Sequence, residues 1–269
     1  MVVKRLSDAI RDGDTIRAVI RGTGANADGK RPSVTQPSSE SQVKLIAQTY
    51  EGTGLDQSDT VYCECHGTGT PVDDALELTG IANTLGKARS EAGKSPLYVG
   101  SIKPSVGHTE GCAGLAGVFK SILLLEKEML VLTYGVECVN PKLKLKNWHL
   151  ALPQEVLSWE TQGLRRISIN SFAFGGANAH VILDDAYHYL LNRGLDGKHN
   201  TTVNECGLDA KIASQVATKQ LVLISGKDQT SIKRISEGLK VWLDKDSADS
   251  KSLENLAYTV GQRRTHLEY

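Results

Sequence analysis

The period of the apolar positions changes repeatedly along the chain. Residues 15–21 (Thr-Ile-Arg-Ala-Val-Ile-Arg) are β-branched with an apolar centre, which predicts a short strand. Residues 22–37 gather Gly, Asn, Asp, Ser and Pro and read as a loop. Residues 38–50 open on serines and Glu40, then place Val43, Ile46, Ala47 and Tyr50 at helical spacing, so a capped helix is expected. A strand over 60–64 runs into a Gly/Thr loop at 66–71. The helix predicted over 73–85 has acidic residues at its N-terminus, as the helix dipole favours, and Gly86 as its stop. Residues 97–102 read as a strand, 103–110 as a loop and 111–127 as a helix. Small residues in the first turns of that helix would let a neighbouring backbone approach closely. Strands at 167–171 and 181–184 flank a loop at 172–180.

Strand, loop and helix thus alternate through the first two thirds, which predicts an α/β class built on a layered sheet. From 191 to 219 the chain turns polar and loses periodicity, the mark of a flexible linker. A strand at 220–225 and helices at 230–243 and 253–264 form a last small unit with little to close its core. The expected organisation is therefore 1–190, a linker over 191–219, and 220–269. In such folds ligands bind at the carboxyl ends of strands, where this chain carries histidines, glycines and hydroxyls.

Composition narrows the picture. The 269 residues hold 31 Lys plus Arg against 31 Asp plus Glu, so the formal net charge is zero. Nucleic-acid and anionic-membrane binders carry a basic surplus, so neither partner is expected. Aromatics make up only 5%, and the core must rest on Val, Ile, Leu and Ala. Five cysteines, odd and sparse, suggest no disulfide framework and fit a reducing compartment. No signal peptide is evident, and the most apolar run, 111–125, is short and interrupted by Lys120. A soluble, cytoplasmic protein is expected.

Two motifs carry little. Gly22-Thr23-Gly24-Ala25-Asn26-Ala27 matches the loose dinucleotide pattern G-x-G-x-x-A, but the sequence after it continues as loop where the fingerprint needs a helix. Cys63, Cys65 and His66 lack the spacing and the second ligand pair of structural zinc, so the cysteines read as small buried residues sharing one face of a strand. Cys112 reads as a packing residue too, with a reactive role left open by its place at a helix start.

Three loops carry more. They are Glu64-Cys65-His66-Gly67-Thr68-Gly69-Thr70-Pro71, Lys103-Pro104-Ser105-Val106-Gly107-His108, and the stretch from Asn170-Ser171-Phe172 through Gly175-Gly176 to His180. Two histidines just beyond strands can offer paired N–H donors to one carbonyl oxygen, as stabilising an enolate or oxyanion demands. A lysine close to the second histidine would keep that ring uncharged. The Phe172–Gly176 turn can present backbone N–H groups to a second oxyanion.

In this order the three loops resemble those of a β-ketoacyl synthase, the condensing domain of polyketide and fatty-acid synthases. The likeness is greatest to the ketosynthase of fungal highly reducing type I polyketide synthases. It extends over residues 16–24, 97–108, Asn140-Pro141-Lys142 and 171–190. Residues 256–259 and 263–267 resemble the segment joining ketosynthase to acyltransferase, so nearly the whole chain is covered. The resemblance implies the C-terminal half of a thiolase-like layered fold, followed by a partial small α/β linker domain. It implies an acyltransferase-type reaction, the decarboxylative Claisen condensation of malonyl and acyl thioesters. His66 and His108 would hold the malonyl thioester carbonyl and stabilise the enolate, and Lys103 would position the second histidine. Phe174 would gate the site and give a backbone N–H to the oxyanion hole, with Gly175 and Gly176 beside it in the substrate-binding stretch. Thr68 and Thr70 would hold the phosphopantetheine arm. No cofactor is expected to bind directly, because that arm arrives on an acyl carrier protein. The other expected partners are the thioesters and either a ketosynthase N-terminal half or a homodimer partner.

The chain also departs from that family. Pro104, Ser105 and Val106 stand where Ser, Asn and Ile are usual, which is expected to shift Lys103 or His108. Asp73 and Ala75 replace Gly and Pro, and Ala173 replaces a glycine, which matters if that position needs positive φ. The nucleophilic cysteine of the family sits in a Thr-Ala-Cys-Ser-Ser elbow that these residues do not contain. Two outcomes are therefore expected: a fragment that condenses thioesters only when completed, or a catalytically dead remnant that binds a carrier protein or scaffold. Either should expose an apolar surface.

Overall fold

A computed structural model describes residues 1–29, 38–70, 73–140, 143–159, 163–202, 221–243, 250–262 and 266–268. Two compact units result, Met1–Asn204 and Glu205–Tyr269. The first begins with α1 (Leu6–Arg11), β1 (Ala18–Ala27), α2 (Ser39–Thr53), β2 (Thr60–Glu64) and α3 (Asp73–Ile81). A π-turn at Ala82–Gly86 joins α3 to α4 (Lys87–Glu91), and β3 (Leu97–Gly100), α5 (Lys103–Val106) and α6 (Ala113–Lys127) follow. Short strands β4 (Met129–Leu130), β5 (Leu150–Ala151) and β6 (Leu157–Ser158) precede the long hairpin β7 (Arg166–Phe172) and β8 (Ala177–Asp185), then α7 (Ala186–Leu191).

Six strands form one mixed sheet in the order β1-β8-β7-β2-β3-β5. β7, β2, β3 and β5 run parallel, and β8 is antiparallel to both β7 and β1. Strand alternation sends Cys63, Cys65 and Ile182 to the face covered by α2 and α3, where they join Ile46, Tyr50, Leu78, Ile81 and Leu97 in one core. The opposite face carries Tyr62, Ile167, Ile169 and Leu183 against Val118, Leu124 and Leu125 of α6. The result is the α/β layered architecture expected, and both strand cysteines are packing residues.

Helix α2 begins where expected, because the Ser38 side chain accepts from Ser41 N. Helix α6 also approaches the sheet as its small residues foretold. A Cβ on Gly117 would lie 3.2 Å from Glu64 Cγ, and one on Gly114 3.1 Å from Ser171 Oγ.

Several expectations are corrected. Residues 22–27 are not loop: β1 continues through them, paired with β8 as far as Ala27↔Ala177. The glycines there lie under α2, where a Cβ on Gly22 would come 2.6 Å from Thr53 Cγ2 and one on Gly24 would strike Thr49 Oγ1. Gly86 is no helix stop, since it is helical and the chain stays helical to Glu91. Its missing side chain serves packing instead, because a Cβ would sit 2.6 Å from the Trp148 carbonyl oxygen. Residues 103–106 form a helical turn with Pro104 in its first positions, where a proline is tolerated. Only 173–176 of the expected 172–180 loop is a turn; the rest is hairpin.

The first residues of the expected linker belong to the first unit. His199 bridges Ile16, and Thr202 N donates to Glu126 O at 2.7 Å, so the chain past α7 packs on the first unit. The rest of that linker, through residue 219, lies outside the described residues, as do Cys206, Pro71, Pro141 and Lys142. In the second unit, α8 (Gln229–Leu243) and α9 (Ser250–Gln262) form near the expected positions, while 221–226, within the expected strand, is neither strand nor helix, and residue 220 lies outside the described residues. No helix among the described residues is long and apolar enough to cross a membrane.

Candidate functional site

The carboxyl ends of β2 and β3 deliver the two histidine loops side by side. The His66 and His108 rings stand 5.5 Å apart, edge to face. Phe172, at the end of β7, places its ring 6.2 Å from His66. Among the described residues these are the rings against His66; Phe174 lies at the hairpin tip, 74% exposed.

Each imidazole has its proton placed by its neighbours. Lys103 Nζ, which can only donate, sits 3.4 Å from His66 Nδ1 and also bonds the His66 carbonyl oxygen. Nδ1 must therefore accept, which leaves the His66 N–H at Nε2. Glu110 N donates to His108 Nδ1 at 3.0 Å, so His108 too carries its N–H at Nε2. Burial, the Lys103 ammonium and His108 together push His66 down to about 4, which keeps its ring neutral at physiological pH. Among the described residues the lysine side chain bonds the first histidine, whereas the resemblance pairs it with the second. The α5 turn carries Lys103 toward His66, and Gly107 then takes φ +78° to release the chain toward His108.

Two buried carboxylates fix the loops from opposite faces of the sheet. On the α3 side, Glu77 accepts from His66 N at 2.7 Å and from Gly67 N at 2.9 Å. Asn170 Nδ2 adds a third bond at 3.1 Å. Burial raises the Glu77 carboxyl to about 7 against the pull of those three donors. Gly67 itself has φ +50°, and a Cβ there would lie 2.8 Å from Ser101 Cβ. On the α6 side, Glu64 accepts from Ile102 N at 2.7 Å and from Lys120 Nζ and the Tyr62 hydroxyl, both at 2.8 Å. Neither Glu77 nor Glu64 stood out in the sequence: the first sits inside a helical pattern, the second at a strand end. The signal available was only an acidic residue in an otherwise buried register.

The hydroxyls divide. Thr68 Oγ1 is buried and without a partner among the described residues, which suits a ligand group. Thr70 Oγ1 accepts from Asp73 N at 3.1 Å and so caps α3. In the hairpin turn, Gly176 N donates to Ala173 O at 2.8 Å, which takes it out of any oxyanion hole in this conformation. The N–H groups of Phe174 and Gly175 have no partner among the described residues. Ala173 is not among the positive-φ positions, so its side chain brings no strain.

Comparison with known proteins identifies the family. The family described as β-ketoacyl synthase, C-terminal domain, matches residues 17–137, and the ketoacyl-synthetase C-terminal extension matches 140–269. The chain is 46% identical over its whole length to the highly reducing polyketide synthase alnA of Emericella nidulans, of which it spans 12%. It is 44% identical, again over its whole length, to the reducing polyketide synthase FUB1 of Gibberella moniliformis, also spanning 12%. Among solved structures, the ketosynthase from module 6 of the Bacillus subtilis bacillaene synthase matches 99% of this chain with a TM-score of 0.74 at 29% identity, the match covering 42% of that ketosynthase. These residues belong to the β-ketoacyl synthase family, as its C-terminal ketosynthase domain followed by the C-terminal extension.

Proposed function

We propose that this chain supplies the enolate-stabilising half of a ketosynthase site for decarboxylative condensation in polyketide synthesis, in the cytoplasm. The observation that carries the reading is the pair of rings 5.5 Å apart, each with its N–H at Nε2. A malonyl thioester carbonyl oxygen between them accepts both N–H bonds. The bond from the malonyl α-carbon to its carboxylate breaks, carbon dioxide leaves, and the electron pair becomes an enolate whose negative oxygen the two donors hold. The enolate carbon then attacks an acyl thioester carbon on a cysteine from an N-terminal half, and that thiolate departs. Neutral His66 matters here, because it holds the enolate oxygen by a hydrogen bond, where an imidazolium would hand its proton to the enolate and quench it.

Thr68, with its unsatisfied buried hydroxyl, and the exposed Thr70 fit the amides of a phosphopantetheine arm carried by an acyl carrier protein. The unpartnered N–H groups of Phe174 and Gly175 fit the acyl carbonyl oxygen; Phe174 gates, and Gly176 shapes the turn. The test is complementation. Mixing this chain with a separately made ketosynthase N-terminal half should release carbon dioxide from malonyl-carrier protein, and His66→Ala should abolish it. Carrier-protein binding with no turnover would replace this reading by that of a binding module.

A further inference from the structure

His180 lies in β8 directly opposite Asn170 in β7 and is fully buried, yet no step above uses it. Its Nδ1 is 2.7 Å from Asn170 Oδ1. Asn170 Nδ2 is in turn 3.1 Å from Glu77 Oε1, and the two Glu77 oxygens take the N–H groups of His66 and Gly67. The proton count runs one way along this chain. Above pH 7, where Glu77 is ionised and only accepts, Asn170 must present its NH₂ to Glu77 and its oxygen to His180. His180 must then donate from Nδ1, and its Nε2, buried without a partner, is the bare nitrogen.

We propose that His180 is a positioning residue for the His66 loop, acting through Asn170 and Glu77. It fixes the orientation of the Asn170 amide, which aims the Glu77 carboxylate at both loop N–H groups and thereby sets where the His66 ring stands. The His180 tautomer required here is the one an isolated imidazole disfavours, so the surroundings impose it. The inference rests on the reading of His66 as a catalytic group, but its test does not need turnover.

Imidazole ¹⁵N spectra of the unmodified chain at pH 8, where Glu77 is ionised, should show His180 protonated at Nδ1 and bare at Nε2. The reverse tautomer would overturn the relay without any variant. Amide hydrogen exchange gives a second measure. In His180→Phe, which keeps a ring but cannot donate, the His66 and Gly67 amides should exchange about tenfold faster relative to core amides such as Ile167. His180→Gln retains a donor and should recover most of the protection. Acceleration shared equally by Ile167, or a Gln variant no better than Phe, would overturn the proposal. Should the Phe variant not fold, the tautomer measurement and the Gln variant still decide. Failure of complementation would remove the catalytic reading and leave these spectra as they are; failure of the spectra would leave complementation untouched.

Discussion

His66 is held from three directions: Glu77 grips its backbone N–H, Lys103 bonds its carbonyl oxygen, and the same lysine faces its ring nitrogen. The ring is therefore oriented before any substrate arrives, and its neutrality comes from burial first and from Lys103 second. An NMR titration should accordingly find His66 uncharged down to about pH 4. Lys103→Met should move that midpoint upward toward the ordinary histidine value, since it removes a positive neighbour while keeping the apolar stem; an unchanged midpoint would leave burial and His108 as the causes. At this scale the sequence made the participants visible but not their pairing. His66, His108 and Lys103 follow from the loops, yet only the turn of α5 shows that the lysine serves the first ring. Phe172 was legible as a neighbour of Phe174 in the same stretch, and only the hairpin geometry separates the ring that packs on His66 from the one at the tip.

Elements were legible where one face decides them. β2 fits its expected span, because five consecutive buried residues between turn signals leave no alternative to a central strand. β1 was cut short because Gly22 and Gly24 look like loop residues, whereas their smallness serves the close approach of α2. Gly86 misled for the same reason. Gly86→Ala should lower stability by about 1–3 kcal/mol, since its Cβ meets the Trp148 backbone carbonyl, which cannot swing aside. Gly111→Ala, at a position with open space, is the control and should be close to neutral in a urea titration. Helix α6 presents Leu115, Phe119 and Leu123 at 40–49% exposure, one residue per turn along a single face. Exposed apolar surface was expected of this chain, and the stripe is one such surface among the described residues. Phe119→Glu with Leu123→Lys should lower the mass seen by light scattering without changing the circular dichroism; an unchanged mass would show that the stripe drives no association.

The molecule as a whole should carry two opposed pH responses. Glu77 is raised from 4.5 to about 7, so the folded chain keeps a proton that the unfolded chain has already released. The stability contributed by that proton is complete below pH 4.5 and is lost as pH rises through 7. His66 and His180 are lowered from 6.5 to about 4 and about 3, so the unfolded chain binds protons that the folded one refuses, and stability falls as pH drops below 6.5. Urea midpoints followed from pH 4.5 to 8 should separate the two. Glu77→Gln should abolish the loss toward neutral pH and leave the acid-side fall intact; persistence of the loss would assign it to another group.

The Glu77 contact also closes a ring, since the carboxylate returns across 11 residues to the N–H of the residue that begins the loop. Such a ring behaves as a noncovalent clasp, whose ends are fixed by the sheet and the helix while its rim is free to vary. Substitutions at Asp73 and Ala75 should then leave the histidine in place, whereas a side chain at Gly67, which has φ +50° and lies against Ser101, should not.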